Sequence, residues 1–125
     1  MKTTTITTLS ALTLPFTAFA EEAPKDVATQ FKTLIEATQE NDLEKFESVC
    51  DAKMQEAMTP QVLEQVSKQV SPLLKAGYQS DFMGDLNKLS HTTYYWKIDF
   101  NTEQAPDMLA EMTIANGKVA GFFIR

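Results

Sequence analysis

The chain has 125 residues, 17 of them acidic and 11 basic, for a formal net charge of −6. The acids are spread along the chain and no basic patch stands out, which argues against nucleic acid or anionic lipid as a partner, since phosphate contacts need clustered cations. A single cysteine, Cys50, rules out an intramolecular disulfide, so one hydrophobic core must hold the domain.

The first twenty residues, MKTTTITTLSALTLPFTAFA, join Lys2, an apolar stretch and the small-x-small ending Ala18-Phe19-Ala20. A signal peptidase reads that pattern. It predicts cleavage after Ala20, with Ala18 and Ala20 as the recognised residues, a mature domain over 21–125, and a periplasmic or secreted location. Threonines and Pro15 interrupt the apolar part, which is shorter than the roughly 20 residues of a spanning helix. No later stretch is long and apolar enough, so the mature chain is not expected to insert into a membrane.

Three helical patterns follow. Val27, Phe31, Leu34, Ile35 and Thr38 fit a 3.6-residue period and predict a first helix starting near Pro24 and ending at Asn41-Asp42. Leu43, Phe46, Val49, Cys50, Met54, Ala57 and Met58 predict a second, with Cys50 on its apolar face as a buried thiol. Thr59-Pro60, a capping hydroxyl followed by proline, starts a third, carrying Val62, Leu63, Val66, Val70, Leu73 and Leu74, bent near Pro72 and closed by Gly77.

After Gly77 the period changes to two. Tyr78 to Leu89 reads as an irregular strand with a bulge at Gly84. In Thr92 to Asn101, Tyr94, Trp96, Ile98 and Phe100 share one face, and Tyr95, Lys97 and Asp99 the other. Met108 to Ala115 and Lys118 to Ile124 flank Asn116-Gly117, a two-residue hairpin signal because both turn positions need positive φ. A straight register from that turn pairs Ala115 with Lys118, Ile114 with Val119, Met112 with Gly121 and Ala110 with Phe123. It leaves the last strand apolar on both faces, so something should cover each. Helices followed by an antiparallel sheet predict an α+β fold.

On Phe31 to Phe46, the helix start Thr59-Pro60-Gln61-Val62-Leu63 and the ending Asn116-Gly117-Lys118-Val119-Ala120-Gly121-Phe122-Phe123-Ile124, the chain resembles the nuclear-transport-factor-two-like superfamily, shared with SnoaL and ketosteroid isomerase. More narrowly it resembles an uncharacterised exported bacterial group within it. The resemblance implies three helices packed on a curved antiparallel sheet of about four strands, a cone-shaped fold often with a pocket at its open end and pairing through the sheets. That fold hosts enzymes and binders alike.

No chemistry-bearing motif is present. One histidine, one cysteine and no HExxH or CxxC give no metal site, and four glycines form no phosphate loop, so no cofactor is expected. His91 beside Ser90 reads as a turn residue. A nucleophile with a base would have to pair Cys50, or a serine such as Ser90, with His91, and nothing in the sequence context supports either pairing. The resembled isomerases use a pocket carboxylate. Asp81, Asp85 and Asp99, with Tyr78, Tyr94 and Tyr95 as phenols, are the candidates, each reading better as a surface acid; Asp99 can pair with Lys97. Tyr78, Tyr94, Trp96 and Phe100 could line an apolar ligand pocket, though core is their simpler role. Leu109, Ala120, Phe122 and Ile124 form the second apolar face, expected to be covered by a second copy of the chain. The functional expectation is an exported, non-enzymatic module that binds a small apolar ligand or another copy of itself; the alternative is a small isomerase- or hydratase-like enzyme.

Overall fold

The computed structural model describes residues 22–125; the expected signal segment, with Ala18 and Ala20, lies outside the described residues. Helix α1, Lys25–Glu40, ends where Asn41 turns to φ 55°, its N–H on the Thr38 carbonyl and the Asp42 N–H on that of Ala37, the closing pattern of a Schellman motif. The Asp42 carboxylate then accepts the Lys45 N–H at 3.1 Å and opens α2, Leu43–Glu47.

The second predicted helix is divided. After α2 the backbone straightens and Cys50 forms a parallel bridge with Val119: the Val119 N–H donates to the Val49 carbonyl, and the Asp51 N–H to that of Val119, both at 2.9 Å. This covers the start of an edge strand that would otherwise present unpaired amides. Asp51 caps the next segment, α3 (Ala52–Ala57), by accepting the Met54 N–H at 2.8 Å. Thr59 caps α4, Pro60–Lys75, through the Val62 N–H at 3.2 Å, and Gly77, at φ 108°, carries the chain out.

The four strands β1 (Tyr78–Asn87), β2 (Thr92–Phe100), β3 (Met108–Ala115) and β4 (Lys118–Ile124) form one antiparallel meander in sequence order. The helices pack on it, so the α+β architecture is as expected. Met83 is the extra residue of a bulge beside Gly84, where the sequence places it. Asn116 and Gly117 take φ 52° and 78°, as their turn requires.

The terminal hairpin departs from the straight register. Ala115 pairs with Lys118 and Ile114 with Val119, but Thr113 then pairs with Gly121, Met112 with Phe122 and Ala110 with Ile124. Ala120 is the unpaired residue of a bulge, and it moves every later side chain to the opposite face. Leu109, Ala120, Phe122 and Ile124 therefore do not form one face. Phe122 turns inward, its ring edge-on to Phe31 (6.4 Å) and Phe46 (6.0 Å), while Phe123 is 60% exposed.

The core lies between α1, α4 and the inner sheet face, where Leu34, Ile98, Ala110, Met112 and Val119 have no exposed surface. Trp96 stacks flat on Phe31, ring centres 3.9 Å apart and planes 2° from parallel. The outer sheet face is mixed. Thr93 and Thr113 hydroxyls meet at 2.8 Å, Arg125 Nε donates to Glu111 Oε2 at 2.6 Å, and Lys97 lies 4.0 Å from Asp99. That is the alternation of a sheet with one face in water, so the last strand is not apolar on both faces as expected.

Candidate functional site

The helical layer is wider than the core contact it makes. Val62 and Val66 on α4 stand on the flank of the buried Leu63–Val70 stripe, and Val62 is 40% exposed. Opposite them, the bulge at Ala120 turns the end of β4 toward α3. Between these elements is a cavity of about 510 Å³, within the size range of small-molecule sites. Met54, Ala57 and Met58 close it from α3, α4 supplies Val62 to Val70, and Ala120 to Ile124 form the strand wall. Phe46 and Phe122 stand at the core side and Met108 at the start of β3.

The chemistry of that lining is uniform. No Asp, Glu, Lys, Arg, His, Cys or Tyr lines the cavity; its polar side chains are Thr38 and Gln69. The Thr38 hydroxyl donates to the Leu34 carbonyl at 2.8 Å and is fully buried. Gln69 is exposed on α4, and its carboxamide makes no hydrogen bond among the described residues.

None of Tyr78, Tyr94, Trp96 and Phe100 lines this cavity. All four pack in or against the core. Trp96 also forms part of a second hollow of about 400 Å³ at the β1 edge, with Phe82, Ala28, Ser80, Asp81, Ala23 and Glu22. Phe82, Tyr94 and Trp96 surround one another at 5.4 to 6.4 Å between ring centres. Burial raises the hydroxyl pKa of Tyr78, with the Glu36 charge adding to it, and raises that of Tyr94, helped by Asp85 and Asp26. Of the residues placed on a dimer face, Ala120, Phe122 and Ile124 line the larger cavity, and Leu109 sits on the outer sheet face.

The candidate bases fall outside the cavity. Asp81 and Asp85 are exposed on β1, and Asp99 faces Lys97 on the outer sheet face. Ser90 Oγ and His91 Nδ1 meet at 3.0 Å in the exposed β1–β2 turn and line neither cavity. Cys50 is buried, donating to the Phe46 carbonyl at 3.2 Å; burial first, then the Asp51 and Glu47 charges, push its thiol up to about 12. A thiol so held is a packing group and a poor nucleophile. Among the described residues no three His, Cys, Asp or Glu side chains come together, and no helix is long and apolar enough to cross a membrane.

Sequence reasoning read Met54, Met58, Leu63, Val66 and Val70 only as helix faces and missed Gln69. The available signal was the breadth of the α4 stripe, which exceeds what one core contact consumes.

No protein-family model and no curated protein matches the chain. Among solved structures it is similar to an uncharacterised cystatin-fold protein from Novosphingobium aromaticivorans, at 8% identity over 82% of this chain and 99% of that one, with a TM-score of 0.44. It is also similar to a proposed polyketide cyclase, protein SMa1630 from Sinorhizobium meliloti, at 11% identity over 82% of this chain and 100% of that one, with a TM-score of 0.46.

Proposed function

We propose that this chain is an exported, non-enzymatic binding module that holds a small apolar molecule in the cavity between α3, α4 and the end of β4. One observation carries the reading: a cavity of about 510 Å³ whose lining has no acid, base or nucleophile. General acid–base catalysis needs a titratable group within hydrogen-bond reach of the reacting atom. Of the carboxylates the isomerase alternative requires, Asp85 and Asp99 line neither cavity, and Asp81 stands at the rim of the smaller β1-edge hollow, exposed to water. Export rests on the Ala18-Phe19-Ala20 signal and belongs to the same proposal.

The test is binding of N-phenyl-1-naphthylamine, an uncharged apolar dye, to the chain lacking residues 1–20. Dye fluorescence should rise on binding. The affinity should stay flat between about pH 5 and pH 8, where a carboxylate or histidine in the site would titrate. Ala57→Phe, an exposed wall position of α3, should abolish binding and leave the circular dichroism spectrum unchanged. Absent dye binding, or binding untouched by Ala57→Phe, would sink the reading.

A further inference from the structure

We infer that the occupant of the cavity is uncharged, an apolar chain or ring system ending in a neutral hydrogen-bonding group such as a hydroxyl. This deepens the binding reading above and rests on it. The charge argument comes first. A carboxylate or phosphate entering an apolar site loses its hydration, and that loss is offset only by a paired cation with good hydrogen bonds. The lining offers no Lys, Arg or His. An ammonium group faces the mirror problem, since no Asp or Glu lines the cavity either.

The polar groups that the wall does offer are all neutral. Thr38 has no exposed surface and its hydroxyl proton is committed to the Leu34 carbonyl, so it adds neither a charge nor a reachable polar group to the wall. Gln69 supplies a donor and an acceptor on α4. Leu109 of β3 and Arg125, just past the end of β4, exchange both backbone hydrogen bonds, at 2.7 and 2.9 Å. Antiparallel ladders alternate, so the peptide groups of Phe122 and Ile124 point away from β3 along the free edge. Neutral donors and acceptors pair with a hydroxyl, an amide or a carbonyl at no charge-burial cost.

Methionine suits such a role. Met54, Met58 and Met108 bring three unbranched thioethers to one cavity, and their rotatable chains fit irregular apolar shapes.

The experiment displaces bound N-phenyl-1-naphthylamine with three ten-carbon competitors below their micelle concentrations: decan-1-ol, decanoate and decylammonium. At neutral pH the alcohol should displace the dye at a concentration about tenfold or more below either ion. Gln69→Lys, at an exposed helix position, should bring the decanoate value toward that of the alcohol by adding the missing cation. Equal displacement by alcohol and carboxylate, or tighter binding of either ion, would overturn the inference and leave the binding reading standing. If the dye itself does not bind, both fall together.

Discussion

Trp96 is the position at which packing arithmetic is most exposed to test. Its ring is 4% exposed, stacked on Phe31 at 3.9 Å and flanked by Phe82 at 5.4 Å and Tyr94 at 6.4 Å. A buried aromatic ring removes about 150–250 Å² from water, worth about 4–6 kcal/mol at about 25 cal/mol per Å² as an upper bound. Alanine keeps part of that, and the surrounding rings relax partly into the space. The expected cost of Trp96→Ala is therefore about 3–5 kcal/mol. Domains of this kind have about 5–15 kcal/mol to lose. The assay is urea denaturation followed by far-ultraviolet circular dichroism, because the substitution removes the only tryptophan and with it the fluorescence signal. Trp96→Phe keeps a ring on Phe31 and should cost clearly less. A loss below about 1 kcal/mol for Trp96→Ala, the size of an ordinary surface change, would refute the stacked core.

The bulge at Ala120 makes opposite predictions for two adjacent phenylalanines. Phe122→Ala should cost about 3–5 kcal/mol, whereas Phe123→Ala, losing an exposed ring under the Arg125 guanidinium, should cost about 1 kcal/mol or less in the same urea assay; the reverse order would restore the straight register. Cys50 gives a pH signature. Its folded thiol holds its proton to about 12 against an ordinary value of 9.0, so above pH 9 the unfolded chain binds fewer protons and stability falls as pH rises from about 9 toward 12. Tyr78 and Tyr94 push the same way in both proteins, so the readout is a comparison: the urea midpoint of Cys50→Ala should drop less between about pH 8 and pH 10.5 than that of the parent, and equal drops would rule out a buried thiol.

What could be read from the sequence was local. Asn41-Asp42, Thr59-Pro60, Gly84 and Asn116-Gly117 each force the backbone through their own dihedrals or caps, and each stands where its chemistry places it. Trp96 and Ile98 follow from period-two alternation, and both are buried. The break in the second helix was not legible, because its cause is the Val119 backbone, 69 positions further along the chain from Cys50. The bulge escaped for a related reason. Ala120 and Gly121 are small and carry no signal of their own, and the straight and bulged registers bury comparable apolar sets, Phe123 in one and Phe122 in the other. Only the helices can choose between them. Phe122 is chosen because its ring reaches both Phe31 and Phe46.

These two unread features explain the cavity together. The bridge from Cys50 to Val119 holds the α2–α3 junction against the start of β4. One residue later the bulge bends the strand and reverses its faces. Beyond that point no backbone covers the β4 edge among the described residues, while Met54, Met58, Val62 and Val66 continue past it on the helices. An apolar helical flank thus faces a strand wall across a gap that the chain does not fill. On the outer face, beside Glu111 and Thr113 of β3, the same reversal replaces Phe122 and Ile124 by Gly121, Phe123 and Arg125. Phe122 and Ile124, expected on a face covered by a second copy, are thereby turned inward, where they line the cavity.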